Sequence, residues 1–460
     1  MNKNYTSVVD EIQNKLIELS EYLWDNPETA FAETKSTEIL CKALREEGFE
    51  VKEGLAGIST AFSGTFGQGK PVIAFLGEYD ALSGLYQEAC KAEKTENAVG
   101  NGHGCGHHLL GTGSLGAAIM VKRYLEETKS EGTVIYYGCP GEEGGSGKAF
   151  MARDGVFDGV DIAFTWHPQN TNKVNTNLNL ANCQVLYKFD GISSHAGTQP
   201  HLGRSALDAV ELMNVGVNFL REHMPQTARI HYAITNTGGF SPNVVQSHSE
   251  VLYLIRSANI SDLDELYERV NNIADGAALM TGTTVTKDFV KACSNAVTNH
   301  TLLAVLYEKM LEIGAPVPTD DEVAFAADFS RKALSEYKAS NPDHPIRSDI
   351  EPYDGKNVQS FGSSDVGDVS WVCPTAQITT ATYPVGSPGH SWQKTSFGRT
   401  ITAYKSMLYA AKVLGAAGIE VLQSPELVEK AKAEHKERTA PDGYKCPIPK
   451  GVIPRAINTL

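Results

Sequence analysis

Gly102-His103-Gly104-Cys105-Gly106-His107-His108-Leu109-Leu110-Gly111 is the stretch on which the reading of this chain turns. Three histidines and one cysteine fall between positions 103 and 108, with glycines separating most of them. Glycine lets the backbone bend and approach closely where side chains must converge. Thiolate and imidazole are both good ligands for zinc-like metals. The apolar, small-residue run over 109–120 predicts a helix, so the ligand-rich loop sits at a helix N-terminus. There the positive end of the dipole favours thiolate over thiol. The spacing is not a closed zinc-finger pattern, and a glycine-rich turn with surface histidines is the plain alternative.

Outward from this loop the chain alternates strands and helices. An apolar strand over 71–76 runs into Gly77-Glu78-Tyr79-Asp80. After the helix, read over 109–129, a strand over 132–137 runs into Gly138-Cys139-Pro140-Gly141-Glu142-Glu143-Gly144-Gly145. A buried-type strand over 160–165 ends at Trp166-His167-Pro168. Ionisable residues thus follow each of these strands, where open α/β sheets place their sites. The alternation predicts a largely parallel sheet flanked by helices. Upstream, amphipathic helices are predicted over 9–23 and 34–47, with strands over 50–52 and 59–65.

The texture changes near Asn182. Strands over 184–190, 229–235, 250–257 and 284–291, with helices over 206–221 and 263–280, give a β-α-β-β-α-β order and predict a small inserted domain. Helices then follow over 301–313 and 321–337, and a polar loop over 341–359. Gly362-Ser363-Ser364-Asp365, a strand over 376–380, Pro388-Gly389-His390 and helices over 395–414 and 425–436 complete the chain.

At 460 residues the chain is one very large domain or two to three ordinary ones. Its net charge of −15, from 40 Lys+Arg against 55 Asp+Glu, argues against nucleic acid or an anionic membrane as partner. No apolar run reaches the ~18 residues of a membrane span. The polar first ten residues lack the apolar centre of a signal peptide, and eight cysteines without paired spacing fit a reducing compartment, so a cytoplasmic location is expected.

Glu142-Glu143 is the most suggestive pair. On a turn, adjacent side chains point in different directions, so one can ligate a metal while the other takes a proton from water. A solvated acidic turn is the alternative. His167, His390 and Asp80 are each weak alone and stronger together, because all follow strands. The segment Glu143 to Lys148 lacks the spacing of a phosphate loop. In the inserted region, His195 and Asn243 could polarise a carbonyl, and Arg256 could clamp a carboxylate with its bidentate fork. Polar residues on a small sheet are the default reading there.

Taken together, these motifs resemble the metallopeptidase and amidohydrolase family that includes carboxypeptidase G, aminoacylases, and auxin-conjugate and hippurate hydrolases. The resemblance covers nearly the whole chain. Cys105-Gly106-His107 points to the amidohydrolase branch, where cysteine replaces a bridging aspartate. Gly362 to Trp371, Pro374 to Gln377 and His390-Ser391-Trp392-Gln393 point within it to the aminobenzoyl-glutamate branch. The resemblance implies a zinc-peptidase-like catalytic domain (1–182 and 294–460) with a mostly parallel central sheet flanked by helices. It also implies an inserted ferredoxin-like α+β lid and dimerisation domain (183–293). It implies two divalent metal ions per subunit, zinc or manganese, held by Cys105, His107, Glu143, His167 and His390, with Cys105 bridging. Glu142 would be the general base and Asp80 would orient a ligand. His195 would serve catalysis and, with Asn243 and Arg256, bind substrate. In related dimers the lid histidine reaches the partner's site, so a homodimer is expected, with a paralogous second subunit as an alternative. His108 departs from the Asp or Asn common at that position. The implied activity is hydrolysis of an N-acyl or N-aroyl amino acid of aminobenzoyl-glutamate type. A dipeptidase or aminoacylase of the same family, and a non-catalytic binding protein on the same fold, are the rival readings.

Overall fold

The computed structural model describes residues 5–440 and 443–456. Its strands are, in chain order, β1 (Glu50–Glu53), β2 (Phe62–Gln68), β3 (Val72–Gly77), β4 (Gly132–Gly138), β5 (Ile162–Gln169), β6 (Lys173–Val174) and β7 (Asn177–Leu178). Then come β8 (Ala181–Asp190), β9 (Arg229–Asn236), β10 (His248–Ser257), β11 (Thr284–Cys293), β12 (Val358–Gln359) and β13 (Thr375–Ala381). A seven-stranded sheet runs β1-β2-β4-β3-β5-β13-β6. Its four central strands, β4, β3, β5 and β13, are parallel, and the flanking strands pair antiparallel. β3 reads Val-Ile-Ala-Phe-Leu and β5 begins Ile-Ala-Phe-Thr-Trp. Such unbroken apolar runs suit strands covered on both faces.

On one face, the helix His107–Thr128 lies between the sheet and the helix Ile401–Gln423. It is buried around almost its whole circumference, as an apolar helix without a polar stripe must be. Phe75, Phe164 and Trp166 pack there with Leu109, Leu115 and Leu414. On the other face, Ala74, Leu76 and Tyr137 pack with Phe150 and Met151 of the helix Gly147–Arg153. That second core continues without a break into Val185, Val210, Tyr253 and Val270 of the inserted unit.

The inserted unit is a four-stranded antiparallel sheet in the order β11-β8-β10-β9, with helices Ala206–Leu220 and Ile260–Thr281. Counted within the unit this is the 4-1-3-2 order of a ferredoxin-like fold. No helix of the described residues is long and apolar enough to cross a membrane.

Several sequence expectations shift. The predicted helix over 9–23 is two helices, Ser7–Glu11 and Gln13–Asp25, because Ile12 leaves helical dihedrals at φ −101° and ψ 6°. The predicted helix over 395–414 is also divided, into Trp392–Phe397 and Ile401–Gln423. The Thr400 hydroxyl accepts the Ala403 N–H and starts the second helix afresh. A short helix over Val366–Val372, not read from the sequence, follows Asp365.

Close approach of helix to sheet needs small residues. A Cβ at Gly111 would lie 2.5 Å from the carbonyl oxygen of Glu78, a backbone atom with nowhere to go. Gly111→Ala should therefore destabilise the fold by about 2 kcal/mol, seen as a lower midpoint in urea denaturation; an unchanged midpoint would show that the helix can slide outward freely.

Candidate functional site

Parallel strands end at the same edge, and the site forms there. Glu78 and Asp80 follow β3, Glu142 and Glu143 follow β4, His167 lies near the end of β5, and His390 sits in the loop after β13. The N-terminus of the helix His107–Thr128 arrives at the same edge and brings Cys105 and His107. Gly106 makes this possible at φ +87°, since a Cβ there would lie 2.2 Å from the Tyr383 hydroxyl oxygen.

The donor atoms gather in two triplets that share one sulfur. Cys105, His107 and His167 offer ligand atoms within 4.8 Å of one another, and so do Cys105, Glu143 and His390. Cys105 Sγ is 3.4 Å from His167 Nε2, and His390 Nε2 is 3.3 Å from Glu143 Oε2. A third group, Glu78, His107 and Glu142, adjoins them. The two glutamates of the turn thus point to different neighbours.

Hydrogen bonds aim the imidazoles. His107 Nδ1–H donates to Asp80 Oδ1 at 2.8 Å, and His167 Nδ1–H donates to the Pro168 carbonyl at 3.0 Å. In each case Nε2 is left to face the cluster. The second oxygen of Asp80 accepts the backbone N–H of Glu143 at 2.9 Å. Burial and the Glu143 carboxylate push the Cys105 thiol up, but the His167 and His107 imidazoles outweigh them and hold it at about 5, a thiolate at neutral pH. Burial also opposes the Glu143 carboxylate, which the His390 hydrogen bond and the His107 charge nevertheless hold at about 2.

These residues fit a metal. His107 Nε2 and Glu143 Oε1 are buried without a hydrogen-bond partner among the described residues. A soft thiolate, imidazole nitrogens and a carboxylate form a donor set suited to zinc, and tolerable to manganese.

A second layer escaped the sequence reading. Lys148 is fully buried, with Nζ 2.7 Å from Glu78 Oε1 and 2.6 Å from Asp365 Oδ1. Its own N–H donates to Asp365 Oδ2 at 2.8 Å. The lysine of the false phosphate loop is therefore an internal counter-ion that ties the start of the helix Val366–Val372 to the end of β3. Burial, with the carboxylates of Glu78, Glu143 and Asp365, raises the Glu142 carboxyl well above the ordinary range, against the opposing charge of His107. Glu33, raised to about 8 by burial and Asp80, accepts the Gly141 N–H at 2.8 Å and steadies the turn before Glu142. Glu78 was legible as the first carboxylate past β3, whereas nothing local linked Lys148 to Asp365. His108 joins none of the donor groups. It is buried, and its Nε2–H donates to the Gly398 carbonyl at 3.0 Å.

Arg256 reaches the site. It lines one pocket with Glu142, Glu143, Asp365 and His390, and its Nη1 donates to Ser363 Oγ at 2.9 Å. His195 and Asn243 lie elsewhere. Both are exposed on the inserted unit, joined by an Ala196 N–H to Asn243 carbonyl bond of 2.9 Å, and neither lines that pocket. His195 Nδ1 accepts the N–H groups of Gly197 and Thr198, both at 3.1 Å, which leaves Nε2–H pointing outward as a donor.

Residues 74–338 match the profile of Peptidase family M20/M25/M40. The chain is 46% identical over 477 aligned positions to a subunit of the p-aminobenzoyl-glutamate hydrolase of Escherichia coli (strain K12), covering 99% of each chain. It is 28% identical to Xaa-Arg dipeptidase of Mus musculus, covering 93% of this chain and 90% of that one. Among solved structures, an aminobenzoyl-glutamate utilization protein from Klebsiella pneumoniae shares the fold with a TM-score of 0.62 at 16% identity, over 90% of this chain and 97% of that one.

Because Asp80 bonds both His107 and the Glu143 backbone, Asp80→Asn should present an N–H where an acceptor is needed. Metal bound per chain, titrated against a competing chelator and read by elemental analysis, should show affinity weakened by roughly 10- to 100-fold.

Proposed function

Since the chain belongs to Peptidase family M20/M25/M40, we propose that it is a dinuclear-metal amidohydrolase cleaving the amide bond of an N-acyl or N-aroyl amino acid of aminobenzoyl-glutamate type. The observation that carries this reading is the pair of donor triplets sharing Cys105 Sγ, with the Glu142 carboxyl beside them. Cys105, His107, Glu143, His167 and His390 would hold two divalent ions, zinc or manganese, Cys105 being common to both donor triplets. Such ions, when bound, polarise an amide carbonyl and make water acidic enough to attack at neutral pH.

The remaining work falls to the chain. Glu142 takes the proton from the attacking water on its carboxylate oxygen and returns it to the leaving amine nitrogen. Its raised proton affinity suits it to hold a proton between those two steps. Asp80 fixes the His107 ring and the Glu143 turn together. Arg256 pairs with the carboxylate of the amino-acid portion. The name of the Escherichia coli relative supports a glutamate product, and that of the mouse relative supports a dipeptidase as second reading. The eight free thiols suit a cytoplasmic enzyme.

A homodimer through the 183–293 unit accounts for an otherwise unexplained surface. Leu212, Val215 and Phe219 stand exposed on one side of the helix Ala206–Leu220, and Tyr232 and Ile234 are exposed on β9, an edge strand. Unpaired edge backbone beside apolar side chains favours pairing with a second copy. Across such an interface His195 and Asn243 would serve the partner's site. A paralogous second subunit would use the same face.

The direct test is a metal-loaded sample offered aminobenzoyl-glutamate, N-acyl amino acids and dipeptides, with the released amine measured. Glu142→Ala should lower kcat by about 10²- to 10⁴-fold while metal content stays constant; full activity in that variant would remove Glu142 as the base. For the assembly, Phe219→Glu combined with Ile234→Lys should halve the mass seen by light scattering.

A further inference from the structure

The inserted sheet turns a second cation toward the site. On β8, Asn182 pairs with Arg256 of β10 on one side and with Cys293 of β11 on the other, while Lys291 pairs with Gln184. Alternation along a strand sets Lys291 on the same face as Cys293 and Asn182. Lys291, Asn182, Cys293 and Arg256 all line the pocket that also holds Glu142 and His390.

Lys291 is only 7% exposed, yet no carboxylate pairs with it among the described residues. Arg256 likewise has a hydroxyl, Ser363 Oγ, rather than a carboxylate as its partner. Asn182, only 3% exposed, stands beside them, and its Nδ2–H groups are the ones able to donate to an anion. Two of the three acids that share this pocket are engaged elsewhere, Asp365 with Lys148 and Glu143 with His390, and the third, Glu142, is the proposed base. A cation at the wall of a pocket with no carboxylate beside it is a ready partner for an anionic ligand. Two such cations in one pocket call for two anionic groups on the ligand.

We propose that Lys291, with Asn182 beside it, recognises the side-chain carboxylate of an acidic leaving amino acid, while Arg256 takes the α-carboxylate. This rests on the amidohydrolase reading and adds to it the residue that selects a dicarboxylic product. The same pair of cations repels a lysine or arginine side chain in that position.

The test compares N-acyl-glutamate with N-acyl-glutamine, which has the same shape and lacks the charge. The wild-type protein should prefer the glutamate compound by about 10- to 100-fold in kcat/KM, the range of a charge-assisted hydrogen bond. In Lys291→Met this preference should fall to near one through a rise in KM for the glutamate compound, and Lys291→Arg should restore much of it. Equal use of both compounds by the wild type overturns the proposal without any variant, which covers the case in which Lys291→Met does not fold. Persistence of the preference in folded Lys291→Met overturns it as well. Failure of the metal-loaded wild type to cleave glutamate, glutamine or alanine derivatives would remove the amidohydrolase reading and this assignment together.

Discussion

The carboxylate of Asp80 is the joint on which the site depends. One oxygen takes the His107 ring N–H, and the other takes the Glu143 backbone N–H. A helix N-terminus and the turn after β4 are thereby fixed to the end of β3. Asp80 has little freedom of its own, because it is buried at the sheet edge. Everything that converges on Cys105 does so because these elements cannot drift apart. The parallel register supplies the coarse alignment, and the two hydrogen bonds supply the fine one.

Around that joint the charges are arranged in opposition. Acidic side chains crowd the end of β3 and β4, which by itself would be costly to bury. The chain offsets this from within, through Lys148 set between Glu78 and Asp365. The anionic groups left over face inward, toward atoms that lack partners, so the excess negative charge is aimed at cations from outside. The inserted unit contributes the opposite sign, with Arg256 and Lys291. The pocket is therefore polarised, with metal-ready donors on the main sheet and anion-ready donors on the inserted one.

How much of this was legible in the sequence follows from the range of each interaction. Cys105 and His107 announced themselves because their signal is local, a loop of glycines before a helix. Glu142, Glu143 and His167 were legible because each sits just past or within the end of an apolar strand. His390 was weaker, and only its loop position after a strand marked it. Lys148 and Asp365 were invisible as a pair because 217 positions separate the groups that bond. Lys291 was hidden by a strand that reads as an ordinary alternating edge. The order of the inserted unit was plain from its periodicities, whereas the breaks at Ile12 and near Thr400 depend on single dihedrals and a single cap, which no periodicity records.

The apolar layer beneath the main sheet runs on into the inserted unit, from Phe150 and Met151 to Val185 and Val210, as one continuous cluster. Two regions that look separable in topology are thus one body in solvent terms. Heat or denaturant should dissolve them in a single cooperative event rather than two. A cavity opened at Val210 would then be felt by the turn that carries Glu142, although no bond connects them.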